Sequence, residues 1–210
     1  MGIVVPLSIL LPIGMFIYKS KYADKSTTLI FAYLVAAGLI NATAVVLARN
    51  GIRNLPLLHL YTVIETVFFL SYFRIIFDNA KIKLFLNYVM IVFTIFCIIN
   101  LTFIQSIFTY NTHTRPLEAL IITTTCLLYF YRSGFSEDWL GSPVNWINMG
   151  ILVYFPAASI IFILSNYFTF IILDHEMTDL IWNLHASLVL GMYLIYTKAF
   201  SLIKQKKRDA

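Results

Sequence analysis

Leu57–Phe77 reads LLHLYTVIETVFFLSYFRIIF, an almost unbroken apolar run with a carboxylate inside it. About 20 helical residues cover roughly 30 Å, the thickness of a bilayer's hydrocarbon core. Glu65 stands near the middle of the stretch, His59 and Tyr61 one to two turns before it, and Arg74 near the far end. An ionisable side chain at that depth is costly, so Glu65 marks a candidate functional site.

The surrounding chain has the same character. Of 210 residues, 60% are hydrophobic and 12% charged, and the mean hydropathy is +0.83. Soluble domains are nearer half apolar and a quarter charged. A polytopic all-α membrane protein is expected, one domain over residues 1–210. The net charge of +5 does not point to nucleic acid, because the basic residues sit in short loops and the tail KQKKRDA. Cys97 and Cys126 both lie in apolar runs, so packing is expected of them rather than a disulfide framework. No basic residue precedes the first apolar run, which is expected to be retained as a helix rather than removed as a signal peptide.

Seven apolar spans are expected: Ile3–Tyr18, Thr28–Ala48, Leu57–Phe77, Leu84–Gln105, Leu117–Tyr131, Trp146–Phe168 and Leu180–Leu202. Each must be helical, since lipid cannot satisfy free backbone groups and the runs are too evenly apolar for barrel strands. Pro56, Pro116 and Pro143 fall near helix starts, where proline is tolerated, whereas Pro156 should kink span six. Of the fifteen Lys and Arg residues, only Arg49, Arg53 and Arg115 fall on one side. The positive-inside rule then puts the N-terminus outside and the C-terminus in the cytoplasm. A multi-pass place in a cell membrane follows, with the bacterial inner membrane as the expected setting and the bilayer as the first partner. The basic tail from Lys204 to Arg208 would meet anionic lipid there.

Three short matches fall in chain order: Tyr18-Lys-Ser with Tyr131-Arg-Ser, Tyr33-Leu-Val-Ala-Ala with Tyr154-Phe-Pro-Ala-Ala, and Tyr72-Phe-Arg with Tyr196-Thr-Lys. They suggest a three-plus-one-plus-three repeat, residues 1–77 and 115–203 joined by the helix 84–105. In helix count, orientation and weak repeat the chain resembles the broad seven-helix class that includes SWEET-type sugar carriers and rhodopsin-like proteins. No Pro-Gln dipeptide occurs, and Lys198 lies too near the inner end of span seven for a retinal Schiff base.

With this orientation the polar side chains gather in the outer half. Glu65 lies near the midplane; His59, Tyr61, Asn41, Trp182, Asn183 and His185 lie above it. They predict an outward-opening pocket, with Glu65 as proton acceptor or cation counter-charge, His59 and His185 as its partners and aromatic walls. A scaffold of interhelical hydrogen bonds would use the same residues. Glu118 and Arg115 are expected as a secondary, local ion pair near the outer surface. Asp174-His175-Glu176 is expected as an exposed acidic loop, and no metal centre, cofactor motif or nucleophile motif is present. The function expected first is a small-solute or proton-linked carrier, or a binding protein of the same build. The alternatives are a receptor-like or assembly module acting through another membrane protein, and an intramembrane lipid-modifying enzyme.

Overall fold

A computed structural model describes residues 4–134, 139–173 and 175–204. Asp174 of the acidic loop and all of the basic tail beyond Lys204 lie outside the described residues. The described chain is helical, with α1 (Val4–Ser8), α2 (Leu10–Lys19), α3 (Lys25–Arg49), α4 (Leu55–Ile76), α5 (Ala80–Ile99), α6 (Thr114–Ser133), α7 (Pro143–Asn166) and α8 (His175–Ser201), and no strand among the described residues. Among the described residues, six helical stretches are long and apolar enough to cross a membrane, α1 and α2 counting together as one. α6 is the helix that does not qualify; it is 20 residues long and carries Arg115, Glu118 and Arg132.

Local chemistry sets the helix ends, which mostly reach beyond the apolar runs because polar caps extend them. Asp24 caps α3: its Oδ1 accepts from the Thr27 amide at 2.8 Å, while the Asp24 amide donates to Thr27 Oγ1 at 3.1 Å. Asn79 Oδ1 caps α5 by accepting from the amides of Lys81 and Ile82 at 2.9 and 3.2 Å. Pro56 and Pro143 sit in the first turns of α4 and α7, where no intrahelical donor is lost. Pro12 cannot donate to the Ser8 carbonyl, and the first span is interrupted at Ile9, between α1 and α2. α7 runs without a break through Pro156. Two π-helical turns, Asn100–Ile104 and Tyr167–Ile172, close α5 and α7.

α2 packs on α8 and α3, α3 on α4, α4 on α6, α6 on α7, and α7 on α8. These contacts close a ring of six helices. α5 lies outside it, against α4 and α6, and leaves Phe85, Tyr88, Ile91, Val92 and Ile95 exposed. Fully buried Tyr33, Phe69, Tyr72, Phe73, Phe155, Tyr196 and Phe200 fill the ring. Phe69 stacks edge-on to Phe155 with centroids 5.0 Å apart, and Tyr33 lies 4.7 Å from Phe69. At Gly150 the α7 backbone packs directly against side chains of α8. A Cβ there would stand 2.6 Å from Tyr196 Cε1, so only glycine admits the ring.

Candidate functional site

The centre of the ring holds a charged cluster. Helical spacing builds it: Tyr61 and Glu65 are four apart on α4, and Arg115 and Glu118 three apart on α6. Arg115 Nη1 pairs with Glu65 Oε2 and, at 2.6 Å, with Glu118 Oε2. These are the ion pairs of the described residues. All three side chains are buried, Glu65 and Glu118 completely. Glu118 therefore pairs with Arg115 as the i, i+3 spacing predicts, but inside the bundle and shared with Glu65 rather than at a surface.

Neighbouring helices supply the polar shell. Tyr33 of α3 and Tyr61 donate to Glu65 Oε1 at 2.5 and 2.7 Å. The two phenol oxygens are 2.9 Å apart. Arg115 Nη2 donates to Tyr154 Oη of α7 at 3.0 Å, and His185 Nε2 of α8 lies 3.0 Å from that same oxygen. Thr66 Oγ1 sits 3.0 Å from Glu118 Oε1 and 2.8 Å from the Thr62 carbonyl. The Arg115 guanidinium also lies over the rings of Phe162 and Tyr61, at 5.2 and 5.4 Å from their centroids.

Two adjoining cavities open beside this cluster, of about 720 and about 400 Å³. That is the size range of small-molecule sites. Asn41, Asn54, Trp182 and His185 line both. The smaller is also lined by Tyr61, Tyr110 and Phe162, so its wall is one side chain away from Arg115 and Glu65. The larger is a cleft lined by α1, α3 and α8, with Arg49, Asp179 and Tyr193 among its lining residues. Exposed Asn183 belongs to this larger cleft. Trp182 lies against the rings of His185, Tyr110 and Phe162, 5.1–5.7 Å between centroids.

His59 does not join Glu65. It is buried, and its Nε2 lies 3.0 Å from the Thr109 carbonyl, where it anchors the segment between α5 and α6. That segment folds inward instead of forming a simple surface loop. The Tyr110 amide donates to Asn166 Oδ1 at 3.0 Å and Asn166 Nδ2 returns a bond to the Tyr110 carbonyl at 2.9 Å. Gln105 Nε2 donates to the same carbonyl, and Asn111, fully buried, donates to Thr62 Oγ1 at 2.5 Å. Burial pushes the Tyr110 phenol above its ordinary pKa, so it faces the cavity uncharged.

Glu65, Tyr61, His185, Trp182 and Asn41, expected in one pocket, do gather in one region. Tyr33, Tyr154, Thr66 and Asn111 belong to it as well and are not among the expected residues. For the two tyrosines a signal existed, because they are the paired positions of the second repeat match. Among the described residues no group of three His, Cys, Asp or Glu side chains is placed to hold a metal ion. Comparison with protein-family models, with curated proteins and with solved structures returns no match to this chain.

Proposed function

We propose that the chain is a seven-span membrane carrier or binding protein for a small solute, linked to a proton, with its pocket in the outer half of the bundle. One observation carries this reading: the cavity walls are hydrogen-bonded to a buried charge cluster. Tyr61 reaches Glu65 directly, and His185 reaches Arg115 through Tyr154 Oη. A solute in the cavity would therefore touch groups bonded to the titratable centre, which is the contact that coupling needs.

The same reading takes α6 as the seventh span. Its charged residues Arg115 and Glu118 turn into the ring, so the helix offers lipid exposed residues such as Leu120, Leu127 and Leu128. The orientation is N-terminus out and C-terminus in the cytoplasm of a bacterial inner membrane. With Arg115 buried, Arg49 and Arg53 are the basic residues left for the outer surface, which sharpens the charge asymmetry. The proposed repeat is supported by matched surroundings. Tyr18 and Tyr131 are both highly exposed, at 81% and 87%; Tyr33 and Tyr154 both bond the charge cluster; Tyr72 and Tyr196 are both fully buried. The packing of α4 on α6 would then correspond to that of α8 on α2.

Labelling tests the pocket and the orientation together. Ala44 lines both cavities, and the native Cys97 and Cys126 are buried. Ala44→Cys is expected to react with a membrane-impermeant thiol reagent added outside intact cells, while the wild type stays unlabelled. Reaction only after the cytoplasmic side is opened would reverse the orientation. No reaction from either side would remove the open pocket.

A further inference from the structure

The charge cluster contains two carboxyl groups and one guanidinium, so it lacks one positive charge if both glutamates are ionised. A net charge sealed among packed helices is costly, and one bound proton removes it. Hydrogen-bond geometry says which carboxyl takes that proton. Phenol donors reach Glu65 Oε1 at 2.5 and 2.7 Å, the range of an O–H group donating to a carboxylate anion. Its other oxygen faces Arg115, so the ionised form of Glu65 has a donor on each oxygen. Glu118 is provided for differently. Arg115 faces its Oε2, but among the described residues Oε1 meets the Thr66 hydroxyl alone, at 3.0 Å, longer than the bonds that reach Glu65 Oε1. That hydroxyl has one proton and a nearer acceptor, the Thr62 carbonyl at 2.8 Å. The Thr66 oxygen is then left as an acceptor for a proton on Glu118.

We infer that Glu118, not Glu65, is the proton-binding site of this cluster, with Thr66 Oγ1 as the acceptor of its O–H and Glu65 as the permanent counter-ion of Arg115. The titratable and charged groups facing Glu118 are Glu65 from α4, Arg115 from its own helix, Cys97 from α5 and Tyr154 from α7. The inference deepens the proton-linked reading: release of this proton leaves the cluster negative, and a cationic or hydrogen-bond-donating solute in the cavity restores the balance.

Infrared spectroscopy of the full chain in detergent at neutral pH tests it. A protonated carboxylic acid gives a carbonyl band apart from those of carboxylates and amides. The band is expected in the wild type and is lost in Glu118→Gln. It shifts to higher frequency in Thr66→Val, or in Thr66→Ala if the valine variant does not fold, and it stays in place in Tyr33→Phe. Absence of the band in folded wild type would overturn the inference, as would a band that Tyr33→Phe moves and the Thr66 variants do not. If the band behaves as expected but the protein neither binds solutes nor moves protons in liposomes, the protonation assignment stands and the carrier reading falls.

Discussion

Arg115→Met is expected to destabilise the protein by about 3–5 kcal/mol, the loss seen when one partner of a buried ion pair is removed. Arg115 is the one cation facing Glu65 and Glu118 among the described residues, and all three side chains are sealed from solvent. Methionine fills much of the same volume, so lost packing would contribute little. The loss comes from carboxylates left without a counter-charge, or forced to take up protons. The combined variant Glu65→Gln, Arg115→Met, Glu118→Gln separates charge from shape. It buries no ion, and much of the stability should return. Unfolding in detergent, followed for both variants beside the wild type, measures this. Equal losses in the single and the combined variant would mean that shape, not charge, makes Arg115 important.

Gly150→Leu should cost about 3 kcal/mol or more, at the upper end of the range for overpacking. The first added carbon alone would fall 2.6 Å from Tyr196 Cε1 and 3.0 Å from Cδ1. Tyr196 is fully buried, so either its ring or the α7–α8 packing would have to shift. Gly191→Leu on α8 is the control, because nothing lies within 4 Å of its added carbon. It should be neutral or slightly stabilising, as leucine favours helix over glycine by close to 1 kcal/mol. A thermal-shift comparison in one detergent decides between them. Similar melting temperatures for the two variants would show that α7 and α8 do not depend on this contact.

The helices were legible in the sequence because lipid solvation demands long apolar runs, and those runs are nearly all the chain contains. The ends were less so: Asp24 and Asn79 start their helices at polar residues, outside what hydropathy registers. Glu65 stood out because a carboxylate inside an apolar run has few explanations. Arg115 and Glu118 did not, because a charged first turn beside a loop resembles a membrane surface. Only the inward fold of residues 105–113, held by Gln105, Asn111 and Asn166, puts that turn inside the bundle. Such a fold depends on contacts across 49 and 56 positions of sequence, which no local pattern encodes. His59 illustrates the converse. Its place on the same helix as Glu65 suggested a partnership, yet its ring turns to the Thr109 carbonyl.

Glu65→Gln, measured for proton flux in proteoliposomes and for thermal stability in detergent, shows whether the buried cluster moves protons or only holds the helices together. Glutamine keeps the shape and still accepts from Tyr33 and Tyr61, and Glu118 remains to pair with Arg115 on losing its proton. Stability should therefore fall by about 1 kcal/mol or less, roughly 2–4 °C in a chain of this size. Proton flux should be lost, because the counter-ion that sets the balance between Arg115 and Glu118 is gone. Flux at the wild-type level in Glu65→Gln, or no flux in the wild type itself, would contradict the account and leave the cluster as a scaffold of the bundle.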